Sequence, residues 1–194
     1  MRRVLLLAGI CLFLVAAWAD TGSAIKTLDK PFAAGGTVDM DLESGNYTIK
    51  PSDVNHVMVR WEDRDGVEVR IDTNGNNAKL RVVRTPHNNF QAEIEVPRNS
   101  DLRVRLTAGN LDIGSIRGNK DIESHAGNVQ ITVGDPQDYR RVDASLWAGN
   151  IVANPFESNK SGLFRSMDWH GNGQYRLHAQ LLAGNLTLRG GQRD

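Results

Sequence analysis

The 194-residue chain carries 23 basic and 23 acidic side chains, and its one cysteine, Cys11, lies near the start. The charge is balanced and the sequence has no basic stripe with which proteins capture nucleic acid, so no nucleic-acid partner is expected. A single cysteine also excludes a scaffold held together by internal disulfides. A stable fold must therefore depend on buried apolar surface and paired backbone.

The first nineteen residues have the pattern of a secretory signal peptide. Two arginines precede an unbroken apolar run of 16 residues, which ends in the small-x-small cleavage pattern Ala17-Trp18-Ala19. The run is shorter than the roughly 18 residues typical of a membrane-spanning helix, which favours cleavage over an uncleaved N-terminal anchor. We expect residues 1–19 to be removed and the mature chain to be exported to a periplasm, the cell surface or the medium, without a transmembrane segment. Loss of the two arginines would leave 21 basic against 23 acidic groups, a net charge of −2.

A lead segment, residues 20–36, is followed by short stretches in which apolar and polar residues alternate. Val57, Val59 and Trp61 form one such row, and the turn from Thr73 to Asn77 separates two others. Period-two alternation between tight turns is typical of β-strands, and short neighbouring strands of this kind usually pair as antiparallel hairpins. We therefore expect an antiparallel meander over residues 37–100.

A recurring Gly-Asn pair, preceded by a small or polar residue, marks the chain from its first predicted strand onward. The pairs are Gly45-Asn46, Gly109-Asn110, Gly127-Asn128, Gly149-Asn150, Gly171-Asn172 and Gly184-Asn185. At each pair the apolar alternation slips by one residue; for example, Leu106 and Ala108 precede a pair that Leu111 and Ile113 follow. Glycine adopts positive φ freely and asparagine tolerates it, so a bend at the pair accounts for the slip. We predict that each pair is a structural corner with the preceding small residue inside it.

The spacing of the pairs gives the predicted architecture. Successive glycines from Gly109 to Gly171 are 18, 22 and 22 residues apart, which are periods typical of solenoids. The predicted fold class is all-β: the antiparallel meander leads into a β-helix-like solenoid stack with Gly-Asn corners over residues 101–190. Residues 37–190 would form a single domain, and residues 191–194 a tail. A β-sandwich built from hairpins throughout is the alternative.

A known family shares this combination of features. The stretch EIEVPRNSDLRVRLTAGNLDI, from Glu93 to Ile113, is a proline-terminated strand followed by the first full corner, and further corners recur after it. In this it resembles the bacterial domain family named "putative adhesin", which is related to the head GIN domain of envelope proteins. The resemblance extends from about Gly36 to Arg189. It implies a β-helix-like fold outside the cytoplasm, and it brings no catalytic residues.

The residues that could carry chemistry are scattered. β-Helix carbohydrate enzymes place carboxylates on neighbouring coils, whereas the outward position two residues after each asparagine holds a single acid, Asp112, among six copies. His170 and His178 have no second metal ligand close by in the sequence. We therefore expect no catalytic residues, no metal site and no cofactor.

The position directly before the small corner residue is more informative. There the copies place Trp147, Trp169, His125 and Leu182, all predicted to face outward. If the coils stack in chain order, the two tryptophans lie on adjacent rungs about 4.8 Å apart. Together with the other two side chains they would form an apolar platform for a glycan or a partner protein. The alternative is that the meander, or the loop from Asn154 to Gly162, covers this row and makes it a second core.

These observations favour a non-catalytic, exported envelope module for binding or structure, similar to the adhesin-type family. The expected partner is an envelope or surface protein or a glycan, and the sequence leaves the oligomeric state open. Two alternatives use the same scaffold. One is a carbohydrate-active enzyme or glycan-binding module, and the other is an accessory protein of envelope signalling.

Overall fold

Twelve β-strands account for most of the residues that this computed structural model describes, which are 24–63, 66–86 and 89–191. They are β1 (Ile25–Pro31), β2 (Thr37–Leu42), β3 (Gly45–Ser52), β4 (His56–Glu62), β5 (Glu68–Asn74), β6 (Asn77–Val83), β7 (Gln91–Pro97), β8 (Asp101–Ile113), β9 (Lys120–Gly134), β10 (Tyr139–Ala153), β11 (Ser158–His170) and β12 (Tyr175–Gly190). Two single-turn 3-10 helices, Pro136–Asp138 and Asn154–Phe156, precede β10 and β11. The all-β prediction is confirmed. The expected signal peptide and residues 192–194 of the expected tail lie outside the described residues.

The strands belong to one mixed sheet that bends along a line of Gly-Asn pairs. β8, β9, β12 and β10 each run through a corner, and they pair in parallel in that spatial order with their corner glycines in register. Each of these bent strands is a rung with one segment before the corner and one after it. β2 pairs with the first segment of β8 and β3 with the second, so β2 and β3 together make a further rung.

The core lies on the inner side of the bend. Before the corner of β8, Leu106 is buried, and after it Leu111 is buried as well, although five positions separate them. The slip in alternation at the corner is what keeps both rows on the same side of the sheet. Across the rungs, the neighbours of Leu111 are also buried apolar residues, and burial of each contributes about 1.5–3 kcal/mol.

The corner glycines have a backbone conformation that other residues rarely adopt. The φ angles are +117°, +122°, +137° and +134° at Gly109, Gly127, Gly149 and Gly184. A β-carbon on Gly127 would lie 1.7 Å from the carbonyl oxygen of Gly109, so stacked corners leave no room for a side chain. The preceding alanines do not fill the inside of the corner as expected, since Ala126 is exposed and Ala108, Ala148 and Ala183 are only half-buried. The glycines themselves occupy the closest approach between rungs.

The corner asparagines form a hydrogen-bonded ladder on the outer surface. In spatial order the ladder is Asn46, Asn110, Asn128, Asn185 and Asn150, and each Nδ2 donates to Oδ1 of the asparagine before it at 2.7–2.9 Å. The three inner amides, those of Asn110, Asn128 and Asn185, therefore both donate and accept between rungs, an arrangement in which neighbouring hydrogen bonds strengthen one another. The asparagine of the repeat has this bonding role in addition to tolerating the bend.

The predicted antiparallel meander over residues 37–100 describes only part of the N-terminal region. β4 is antiparallel to β1 and β7, and β5 is antiparallel to β6. However, β2 is parallel to β6 and β8, and β3 is parallel to β7 and β8. Alternation predicts strands without giving their direction, and the pair Gly45-Asn46 makes β2 and β3 a rung on which β6 and β7 stack.

The C-terminal rungs do not follow chain order. β12 lies between β9 and β10, and β11 returns antiparallel along β10 at the end of the sheet. Gly171-Asn172 is consequently not a corner, and Gly171 lacks the positive φ of the four corner glycines in β8, β9, β12 and β10. It lies in the connection from β11 to β12, where the backbone N–H groups of Gly171 and Gly173 donate to carbonyls of Arg140 and Tyr139 at 3.0 and 3.1 Å. The observed architecture is an open mixed sheet of bent strands rather than the coils in sequence order that the spacing predicted.

Candidate functional site

One row of outward side chains runs across the rungs directly before the corner. In spatial order this corner row is Thr107, His125, Leu182, Trp147 and Phe164. The flanking residues on each rung are paired in register, which places the row members side by side. The structure thus brings together three of the four predicted platform residues, His125, Leu182 and Trp147, and it adds Phe164 of β11.

The aromatic end of the corner row is open to solvent. The exposed fractions of Trp147, Phe164 and Leu182 are 52%, 75% and 49%, and Leu163 beside them is exposed as well. The rings of Trp147 and Phe164 are 6.0 Å apart between centroids, with their planes tilted by 54°. Contiguous exposed apolar side chains of this size are uncommon on soluble proteins and usually mark a contact surface.

Trp169 does not join this surface. It pairs with Val142 near the start of β10, and its ring packs against Phe156 with centroids 4.9 Å apart, half-buried against the core. The expected adjacency of the two tryptophans required β11 to run parallel to β10, and its antiparallel direction sends Trp169 away from the corner. The corner of β11 is instead at Gly162, which pairs with Gly149 and has a φ of +108°.

A second outward row supplies hydrogen-bonding groups beside the aromatic one. This polar row is Glu123, Gln180, Ser145 and Ser166, again on four neighbouring strands. The two rows line a trough of about 630 Å³. Nothing in the sequence distinguishes this row, because short polar side chains on an outward face are common in any strand.

The trough continues toward the N-terminal rungs. A smaller cavity of about 260 Å³ shares Glu123 and His125 with it and is also lined by Asp41, Glu43 and Thr107. At this end the charges are paired. Arg105 donates to Asp41 at 2.9 Å, and this hydrogen bond and the nearby Asp39 raise the pKa of the Arg105 guanidinium above its ordinary value. The N-terminal end is therefore the more strongly charged end of the trough, with Arg105 paired to Asp41, and the aromatic end carries the exposed apolar side chains.

A buried lysine lies at the end of the rungs farthest from the corner. The ammonium of Lys120 donates to the carbonyls of Ile116 and Gly118 at 2.6 and 3.2 Å and to the hydroxyl of Tyr139 at 3.0 Å. Burial lowers its pKa to about 8. Its donors are satisfied by protein oxygens, so the lysine ties the loop before β9 to β10 and presents no reactive group.

Two further contacts between titratable side chains lie on the outer face. His178 bonds Asp143, and Arg141 bonds Asp168 at 3.3 Å. Within the described ranges 24–63, 66–86 and 89–191, no group of three or more His, Cys, Asp or Glu residues could hold a metal ion. No helix in those same ranges is long and apolar enough to cross a membrane.

No protein-family model and no curated protein matches the chain. Solved structures do. A "putative cell adhesion protein" from Clostridium sporogenes superposes with a TM-score of 0.50 at 11% identity, covering 87% of this chain and all of that one. The chain has the fold of that clostridial protein. A "putative adhesin" from Bacteroides fragilis, at 13% identity and a TM-score of 0.30, covers 86% of this chain and 98% of its own. One from Parabacteroides merdae, at 9% identity and 0.25, covers 86% and 94%.

Proposed function

We propose that this protein is a non-catalytic binding module of the cell envelope and that the trough is its contact surface. The observation that carries the proposal is the open aromatic end of the corner row, where Trp147, Phe164 and Leu182 are exposed side by side. The bent strands then act as a solenoid-like scaffold for one domain, residues 37–190, that presents this surface. The pattern of the first nineteen residues supports export, and the clostridial protein of the same fold bears the name of a cell adhesion protein.

The chemistry of the trough supports binding rather than catalysis. Among the side chains lining its aromatic end, Glu123 is the one carboxylate, and its neighbours in the polar row are an amide and two hydroxyls. A hydrolytic site would require two titratable groups positioned against one another, and in the described residues no hydrogen bond or ion pair joins Glu123 to His125, the other titratable side chain of the two rows. These side chains can donate and accept hydrogen bonds, and the adjacent rings can bury apolar surface.

Binding to the native envelope tests the proposal. Purified protein is incubated with the envelope fraction of the source cells, and the bound fraction is measured after washing. The double variant Trp147→Ala/Phe164→Ala should lose at least about nine-tenths of the binding, since central aromatic residues dominate contact surfaces. Val152→Ala is the matched control, because Val152 is an exposed apolar residue of the same strand beyond the corner. Equal binding by the wild type and the double variant, at unchanged Tm, would contradict the proposal.

A further inference from the structure

We infer that the ligand of the trough is a glycan chain that lies across the strands, with sugar rings against Trp147 and Phe164 and hydroxyls bonded by the polar row. The inference rests on the proposed function and specifies its ligand. It follows from how the two rows are arranged, from what the outer face offers to a ligand, and from how the last strand ends the sheet.

The two rows of the trough match the two kinds of surface on a sugar. A pyranose ring has apolar C–H faces and a rim of hydroxyl groups. The corner row presents flat rings, and the polar row, one alternation away along each strand, presents an amide, two hydroxyls and a carboxylate. From His125 to Phe164 the row spans three strand spacings, roughly 14 Å, which is room for a chain of linked rings and not only one.

A ligand on the outer face of the sheet can form hydrogen bonds with side chains but not with the backbone of the central strands. The backbone N–H and C=O groups of β9, β12 and β10 are engaged in the sheet on both sides, because each of these strands has a neighbour on either edge. An extended peptide gains much of its affinity from main-chain hydrogen bonds to a sheet edge. Such bonds are not available to a ligand lying over the trough, whereas a glycan is bound through side-chain groups and rings.

The edge of the last strand is poorly suited to adding a peptide strand. In β11, Gly162 and Phe164 both have positive φ, +108° and +52°, which interrupts the extended backbone. The ammonium of Lys160 bonds the carbonyl oxygen of Ser166 along the same strand, and Arg165 pairs with the inward-facing Leu146. Charged side chains on an edge strand and an irregular backbone are devices that protect such strands from pairing. The aromatic pair is therefore presented as a surface and not as the rim of a strand-addition site.

An apolar protein surface would fit the trough less well. Covering Glu123 and Gln180 without new hydrogen bonds would remove them from water at a substantial cost. Sugar hydroxyls restore those bonds while the rings still bury apolar surface. The rows together thus favour a ligand that is apolar on its faces and rich in hydroxyls at its rim.

Selective destruction of envelope components tests the inference for glycans whose sugars carry vicinal diols, and oligosaccharide probes extend the test to 1,4-linked N-acetylhexosamine chains, which carry none inside the chain. One portion of the envelope fraction is oxidised with periodate, which cleaves vicinal diols of sugars, and another is digested with proteinase K. We expect periodate to abolish wild-type binding and proteinase K to leave at least about half. Loss of binding after proteinase K, with retention after periodate, would overturn the glycan and leave the proposed binding function standing. Failure of Trp147→Ala/Phe164→Ala to reduce binding to untreated envelope would overturn both.

A pair of variants gives an independent test. Gln180→Leu keeps a side chain of similar size but makes it apolar by removing the amide, and Trp147→Ala removes the ring. With a glycan, each should weaken binding to the envelope fraction at least about ten-fold, and Val152→Ala should stay within about two-fold. Unchanged or tighter binding by Gln180→Leu would overturn the inference, since it would indicate docking of an apolar surface.

Intrinsic fluorescence provides a local readout with hexasaccharides of glucose, N-acetylglucosamine, mannose and xylose as probes. Of the tryptophans in the described residues, Trp147 is the one that is more than half exposed. A hexasaccharide that changes fluorescence in the wild type but equally in Trp147→Phe would contradict binding at the ring.

Discussion

Replacing Gly127 by alanine should destabilise the protein far more than the same change at Gly75. Both glycines have positive φ, +122° and +56°, which costs other residues about 1–2 kcal/mol. Their surroundings differ. A β-carbon on Gly127 would lie 1.7 Å from the carbonyl oxygen of Gly109, whereas nothing lies within 4 Å of one on Gly75. The two rungs would have to separate by about 1.5–2 Å before that carbon and oxygen reached normal contact.

The size of the effect follows from what such a separation breaks. Asn128 would lose its amide hydrogen bonds to Asn110 and Asn185, and backbone bonds beside the corner would lengthen, at about 1 kcal/mol each. Together with the φ cost, Gly127→Ala should lower the free energy of unfolding by about 4–6 kcal/mol, and Gly75→Ala by about 1–2 kcal/mol. Urea titration monitored by circular dichroism measures both free energies of unfolding. Equal losses would refute the idea that close approach of the rungs, rather than φ alone, requires glycine at the corners.

Three further predictions concern the ladder, the buried lysine and the last strand. Asn128→Ala should cost about 2 kcal/mol and Asn150→Ala about 1 kcal/mol in urea titrations, because Asn128 makes two ladder bonds and Asn150 makes one; equal costs would contradict a stabilising role for the ladder bonds. The folded protein holds Lys120 with a pKa of about 8 against 10.5 for the ordinary side chain, so it binds fewer protons than the unfolded chain between those values. The free energy of unfolding should therefore rise between pH 8 and 10, by up to about 3 kcal/mol. Lys120→Met should remove that rise, and a wild-type curve that is flat or falls there would argue against a charged buried lysine. Lys160→Val/Arg165→Val should self-associate in sedimentation velocity at concentrations where the wild type sediments more slowly, because inward charges no longer protect the edge; unchanged sedimentation would show that the bent backbone is protection enough.

The corners could be predicted from the sequence because burial imposes a parity. Leu106 and Leu111 both face the core, and an odd number of steps between them is possible only if the backbone bends. The order of the rungs could not be predicted in the same way. Each rung has a similar apolar row and the same corner, so β12 matches the space between β9 and β10 as well as it would match the end of the stack. Strand direction was equally open, since a period of two is the same read forward or backward.

The candidate site was predictable to the same extent. His125, Leu182 and Trp147 share a row because the Gly-Asn pair fixes their register. Trp169 was assigned to that row because it lies just before the Gly171-Asn172 pair. Gly171 and Gly173 instead allow a loop to approach the backbone at the start of β10 closely. The corner of β11 has no asparagine. Its signal was a glycine followed by two consecutive apolar residues, Leu163 and Phe164. Successive side chains of a strand point to opposite faces, so these two cannot both face the core of a regular strand.

Site-specific crosslinking tests the central claim most directly. A photoreactive amino acid is placed at Leu182 in the trough or, as the control, at Val152 on the same sheet beyond the corner. Both positions are exposed, so neither substitution should disturb the fold. After illumination in the native envelope, the account predicts adducts of higher mass from position 182 and none above background from position 152. Adducts from position 152 alone, or equally from both positions, would contradict the assignment of the trough as the contact surface.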